Sequence, residues 1–248
     1  MDQTGRILIV VTNVDQYEKV GFRTGLWLGE LTHFWDAVEE AGFRSEIASP
    51  EGGWVPLDPQ SLIMPEMGHN SRLGGGVTDH YRDKTFMDRL NTTLPLAEVK
   101  AADYDAIYLA GGHGTMWDFR SPEVGRLLAE FYESGKIVSA VCHGPAGLLD
   151  AKLSDGRWLV QDKELTAFSW TEEKAVDRDE VVPFNLEEEL KTRGAGFTKA
   201  MLPFGKHVVE DGLLITGQNP ASAYGVGEAV AKALRQSETR SQDHLESA

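Results

Sequence analysis

Short, unbroken apolar runs alternate along this chain with stretches of helical periodicity, and no other property of the sequence narrows the fold as much. Residues 6–12 (RILIVVT) form a β-branched run bounded by Gly5 and Asn13, the pattern of a strand buried on both faces. Leu31, Phe34, Trp35 and Val38 then recur at helical spacing before Gly42, which predicts a helix over 30–41 that stops there. Residues 43–48 read as a second strand, and 106–109 (AIYL) and 137–141 (IVSAV) as two more, with a helix over 122–134 between them. Strands alternating with helices build βαβ units, hence a mostly parallel sheet covered on both faces.

Between residues 50 and 102 the periodicity weakens around several prolines and Gly74-Gly75-Gly76. This stretch is expected to be an excursion from the sheet edge that covers a site or forms an interface. Further on, 164–169 reads as a strand, and 207–210 and 213–216 as a hairpin about the Asp211-Gly212 turn. Residues 221–235 read as an Ala-rich amphipathic closing helix and 236–248 as a frayed polar tail. Without internal repeats or a Pro/Ser-rich linker, the expectation is one domain over 1–236, followed by the tail at 237–248.

The 248 residues include one cysteine, Cys142, which excludes an intrachain disulfide and any multi-cysteine metal site. With 24 Lys+Arg against 39 Asp+Glu the net charge is −15, the wrong sign overall for holding a phosphate backbone, so no nucleic acid is expected as partner. A polar, acidic start and the lack of any apolar run near 18 residues lead us to expect a soluble, cytoplasmic protein with no membrane partner. The acid excess is densest over 172–189 (EEKAVDRDEVVPFNLEEE); a solvated loop leading into a helix N-terminus accounts for such a run, because carboxylates suit the positive end of the helix dipole.

The strongest chemical signal is the segment 137–147 (IVSAVCHGPAG). A buried strand ends at Cys142 and Gly-Pro follows at once, the layout of a strand-to-helix turn that lifts a nucleophile above the carboxyl edge of the sheet. The adjoining helix N-terminus is expected to favour thiolate and lower the pKa of Cys142. Ala110-Gly111-Gly112-His113-Gly114 ends the preceding strand; consecutive glycines let backbone N–H groups approach a ligand, which suits an oxyanion hole, while His113 could contact substrate or bond its own loop. Glu30, at the start of the first crossover helix, can approach the same crevice or serve only as a partner of the helix dipole.

Taken in order, GELTHFWDAVEEAGF, GGHGTMWDF, AVCHGPAGLL and DGLLITGQNPASA resemble the ThiJ/PfpI superfamily, which shares the class I glutamine amidotransferase-like fold. Within it they resemble the branch of glutathione-independent glyoxalases and stress chaperones, from about Ile7 to Ala233. The resemblance implies a flavodoxin-like α/β three-layer sandwich, a homodimer and no cofactor. It implies that Cys142 is the nucleophile on a strained elbow, His143 its partner in a Cys-His-acid set, and Glu30 the carboxyl beside the sulfur. The third member of the set is expected to be Glu173, with Glu172 as the alternative, and the N–H groups of Gly112 and His143 would form the oxyanion hole. Two departures are Ala110 and Phe34, where relatives frequently carry proline; Phe34 is expected to narrow the pocket.

The activity so implied is conversion of methylglyoxal or another small 2-oxoaldehyde to lactate or the corresponding 2-hydroxy acid, through a hemithioacetal on Cys142. Glu30, its pKa raised, would move a proton between the two carbons. One difficulty is that adjacent side chains on a strand point apart, so only an elbow brings His143 to the sulfur. Alternatives are a cysteine-dependent amidase, peptidase or deglycase, and a holdase chaperone acting through an exposed apolar patch. His33, His69, His80, His207 and His244 show no HExxH-type spacing, and no metal is expected.

Overall fold

In the computed structural model, which describes residues 5–63 and 76–246, the predicted core strands are neighbours in one sheet. The strands are β1 (Arg6–Val10), β2 (Arg44–Ser49), β3 (Leu94–Pro95), β4 (Ala106–Leu109), β5 (Ile137–Val141), β6 (Glu164–Leu165), β7 (Gly196–Phe197), β8 (Val208–Asp211) and β9 (Leu214–Gly217). Among the described residues the main sheet has the order β3-β2-β1-β4-β5-β9-β8, and β6 pairs with β7 apart from it. Every pairing in the main sheet is parallel except that of β8 with β9, the expected hairpin.

The helices are α1 (Leu28–Glu40), α2 (Gln60–Ile63), α3 (Val77–Arg82), α4 (Lys84–Asp88), α5 (Thr115–Asp118), α6 (Pro122–Glu133), α7 (Trp170–Ala175), α8 (Leu186–Thr192) and α9 (Ala223–Glu246). Alternate residues of each central strand face opposite helical layers. Leu8 and Val10 pack with Leu127 and Phe131 of α6 on one face; Ile7, Ile9 and Val11 pack with Leu31 and Phe34 of α1 and Val226 and Val230 of α9 on the other. Each such fully buried side chain stabilises the fold by about 1.5–3 kcal/mol. This two-sided burial is why the strands read as continuous apolar runs, and the α/β sandwich follows from it.

Three segments differ from expectation. Of 164–169, only Glu164 and Leu165 form a strand, and it lies outside the main sheet. The remainder crosses the carboxyl edge on single bonds, Thr166 N–H to Thr216 Oγ1 (2.9 Å) and Phe168 N–H to the Cys142 carbonyl (2.8 Å), because Ser169 already caps α7. The closing helix continues through Glu246 instead of ending near Arg235; after Gly227 no glycine or proline interrupts it. The 50–102 excursion carries α2, α3 and α4 and returns to the sheet as β3 at its edge, where Leu94 and Pro95 pair with Ala48 and Ser49; Gly74 and Gly75 lie outside the described residues.

From β1 the chain proceeds outward to β2 on one side and later to β4 and β5 on the other. The carboxyl ends of β1 and β4 therefore border the crevice in which open α/β sheets hold ligands. Glu30, Gly111 and Cys142 follow β1, β4 and β5 respectively.

Candidate active site

Cys142 leaves β5 in the left-handed backbone region, at φ +58°, a conformation that costs a non-glycine residue of the order of 1–3 kcal/mol and that folded chains retain at functional sites. Its N–H is held by the Gly217 carbonyl at 2.9 Å. The turn also needs Gly144, where a Cβ would stand 2.3 Å from the Leu109 carbonyl oxygen. This reversal resolves the difficulty of adjacent side chains: Cys142 Sγ and His143 Nδ1 are 3.2 Å apart.

α7 supplies the next group. Ser169 caps it in a reciprocal box with Glu172, the Ser169 hydroxyl accepting from Glu172 N–H and Glu172 Oε2 accepting from Ser169 N–H. So begun, the helix turns Glu173 toward the elbow, where Oε2 lies 2.8 Å from His143 Nε2 and Oε1 lies 2.7 Å from His113 Nε2. Glu172 turns away to bond Phe204 N–H and Asn219 Nδ2, so the two adjacent glutamates differ completely in what they touch. His113 is held by Glu173 and borders the cavity as well.

Burial works to raise the pKa of Glu173, but the charges and hydrogen bonds of His143 and His113 outweigh it and hold the carboxylate well below its usual range. Burial, aided by His113, lowers the pKa of His143 and keeps it a neutral imidazole at neutral pH. An ionised Glu173 accepts the Nε2 proton of His143, which leaves the Nδ1 lone pair toward the thiol. The set can therefore take a proton from sulfur.

Glu30 comes from the first turn of α1 and is fully buried. Its Oε2 accepts the Gly111 N–H at 2.8 Å, while Tyr108 donates its hydroxyl to the Glu30 backbone carbonyl at 2.9 Å. Gly111 separates this carboxyl from the cysteine; a Cβ there would lie 2.4 Å from Glu30 Oε2 and 2.9 Å from Cys142 Cβ. Burial pushes Glu30 up to about 8, although its contacts with the Cys142 thiol and Gly111 N–H pull the other way. The upward direction agrees with the sequence reading.

The thiol does not follow that reading. Burial, then the charge and hydrogen bond of Glu30, then Glu172 and Glu173, raise the pKa of Cys142 well above the ordinary thiol value, where a lowered one was expected. The turn after Cys142 is a single 3₁₀ stretch, Gly144–Asp150, and its dipole does not offset the loss of water together with three carboxyl neighbours. The resting sulfur is a thiol that needs His143 as base.

The N–H groups of Gly112 and His143 donate to no acceptor among the described residues. Gly112 reaches this position at φ +107°, with its missing Cβ within 2.1 Å of the Gly25 carbonyl oxygen, so no other residue fits.

The cavity over the sulfur is walled by Trp27, His33, Val77, Phe168, Val176 and Phe204, among others, and no lysine or arginine is among the described residues that line it. The sequence reading weighed His33 only as a metal ligand; it stands three residues after Glu30 on the same helix face, a spacing that could have placed it at the cavity. Phe168 and Phe204 carry no motif. Phe34 does not narrow the pocket: it is fully buried between α1 and the sheet and stacks on Tyr108 of β4 at 3.6 Å between centroids.

His113, His143 and Glu173 present ligand atoms within 4.8 Å of one another, near enough to hold a metal ion, and the same atoms are linked by the hydrogen bonds already described. His80 pairs with Asp36 at 2.6 Å and His207 with Thr198 at 2.9 Å; His69 lies outside the described residues, as does the side chain of His244. Among the described residues, no helix is long and apolar enough to cross a membrane.

The sequence profile of the DJ-1/PfpI family matches residues 24–233. The chain is similar to the glutathione-independent glyoxalase of Saccharomyces cerevisiae, at 30% identity covering 93% of this chain and 98% of that protein. A glutathione-independent glyoxalase of Schizosaccharomyces pombe is 31% identical, with 86% of this chain and 90% of that protein covered. Among solved structures, the Rapid Encystment Protein 24 kDa of Francisella tularensis superposes with a TM-score of 0.86 at 34% identity, covering 93% of this chain and 99% of that one. The glyoxalase III of Candida albicans does so with a TM-score of 0.79 at 24% identity, over 92% and 97% of the two chains, a likeness of fold.

Proposed function

The chain belongs to the DJ-1/PfpI family, and from that premise we propose that it is a glutathione-independent glyoxalase, converting methylglyoxal or a similar 2-oxoaldehyde to the 2-hydroxy acid. The observation that carries this reading is Glu30. A hydrolase needs a nucleophile, a base and an oxyanion site; here a second carboxyl, buried against the thiol and titrating at about 8, is additional to that set. Moving a hydrogen between adjacent carbons is chemistry that needs such a group.

In this mechanism His143 Nδ1 takes the Cys142 thiol proton as sulfur attacks the aldehyde carbon. The resulting oxyanion is met by the N–H groups of Gly112 and His143 and then takes the proton of Glu30, giving a neutral hemithioacetal and an ionised Glu30. Glu30 removes the hydrogen from C1 and returns it to C2 through an enediol, while the hydroxyl proton passes from the first oxygen to the second. The product is a thioester. Water attacks it and gives a proton to Glu30, and protonated His143 returns its proton to the departing sulfur. The resting thiol, neutral imidazole and protonated carboxyl are restored, and no cofactor enters. Glu173 holds the tautomer of His143, as the acid of a catalytic triad does. A cavity lined without lysine or arginine among the described residues suits a small neutral substrate.

The test is the fate of the aldehyde hydrogen. With methylglyoxal deuterated at C1 and no glutathione, a Glu30 shielded from water should leave a measurable share of deuterium at C2 of the lactate formed. Failure to form lactate would end the proposal, and lactate carrying only solvent hydrogen would remove Glu30 from this role.

A further inference from the structure

Residues 199–206 (KAMLPFGK) form an outer strap beside the cavity. Met201 is 97% and Leu202 72% exposed, whereas Phe204, half-buried, turns inward as part of the cavity wall. Its ring lies 6.2 Å from Phe168, which in turn packs on His143 at 4.6 Å. Phe204 adopts φ +61°, a left-handed conformation that disfavours a bulky side chain. Something must hold it there.

The holder is Glu172. This fully buried carboxyl accepts four hydrogen bonds, all from uncharged donors: Ser169 N–H (2.9 Å) and hydroxyl (2.7 Å) on Oε2, Phe204 N–H (2.7 Å) and Asn219 Nδ2 (2.9 Å) on Oε1. Asn219 also donates to the Gly205 carbonyl at 2.8 Å. One side chain thus joins the cap of α7, which presents Glu173, to the strained residue of the strap and to Asn219 at the cavity. A polar group buried at this depth is retained when its bonds are made, and each of them strengthens the joint.

We propose that Phe204 is the specificity-determining wall of this site, setting the largest substituent a substrate can carry beside its reacting carbonyl, and that Glu172 is the positioning residue that latches it closed. The proposal rests on reading the Cys142 cavity as the substrate site and deepens it: the substituent is apolar, because Phe204, Phe168 and Val176 face it, and its size is limited by one residue on an outer strap.

The test uses the single cysteine and needs no turnover. Alkylation rates of Cys142 are measured with a small reagent, iodoacetamide, and a bulky aromatic one, N-phenylmaleimide. The ratio of bulky to small should rise about tenfold or more in Phe204→Ala, with Phe204→Leu intermediate, as expected for opening an apolar pocket by several carbons. Glu172→Gln places an amide N–H₂ against the Ser169 donors or loses the strap, so the ratio should rise and amide exchange should quicken at 204–206. The kcat/KM ratio of phenylglyoxal to methylglyoxal should move in the same direction. Alkylation ratios within about twofold of wild type in both Phe204 variants overturn the proposal. If the ratios rise while methylglyoxal gives no lactate, the wall stands and the glyoxalase reading fails.

Discussion

Glu30 must give up its charge to be buried beside a thiol, and that makes both stability and chemistry depend on pH. Its folded pKa is about 8 against an ordinary value of 4.5. Below the ordinary value folded and unfolded chains are both protonated there; as pH rises past it the unfolded chain releases the proton and the folded one keeps it. Stability therefore falls between those two pH values, by an amount of the order of a few kcal/mol. Glu30→Gln removes the loss, so scanning calorimetry should show the variant melting above wild type at pH 8 and level with it near pH 4; a pH-independent gap would contradict the assignment. For Cys142 the predicted iodoacetamide midpoint lies above the ordinary thiol value of about 8.5, and a midpoint near 7 would contradict a thiol raised by burial. At this scale the sequence was informative where residue type and turn chemistry coincide, as at Cys142 and Gly112, whereas the part of His143 came only with the resemblance. It misled on the thiol because its burial and its three carboxyl neighbours, supplied by α1 and α7, come from other parts of the chain. Glu172 and Glu173 were indistinguishable as adjacent letters, and only the phase of α7 separates them.

Among elements, the four central strands and α1 were legible because burial on both faces writes itself as continuous apolar sequence. The 164–169 segment was not, since it has strand-like composition but spends its polar groups on Thr216, Cys142 and a helix cap. Likewise the strap at 199–206 carries no periodicity, and its role depends on a carboxyl from another element. α7 should be sensitive to its cap. Ser169→Ala removes a capping bond worth about 1 kcal/mol and deprives Glu172 Oε2 of a donor, so chemical denaturation should show a loss of at least that size. Because Glu173 shares the first turn, kcat should fall more than KM rises; a stability loss with kinetics intact would show that the cap does not orient Glu173.

For the whole molecule, the layer of α1 and α9 connects distant packing to the site. Gly227 of α9 lies where a Cβ would be 2.7 Å from Ala37 Cβ and 3.1 Å from the Phe34 carbonyl oxygen, both on α1, the helix that carries Glu30. Gly227→Ala should therefore cost about 1–3 kcal/mol of stability, the usual price of overpacking, and reduce turnover although Gly227 does not line the cavity; unchanged stability would mean the helices separate freely. The homodimer implied by the resemblance is a further proposal at this scale, to be read by light scattering. Of the acidic residues behind the net charge of −15, Glu30, Glu172 and Glu173 are buried around the sulfur. The most direct measurement is lactate production from methylglyoxal in glutathione-free buffer by wild type, Cys142→Ser and Glu30→Gln. The account predicts turnover by wild type and a loss of about a hundredfold or more in each variant; no turnover by wild type, or turnover that survives Cys142→Ser, would contradict it.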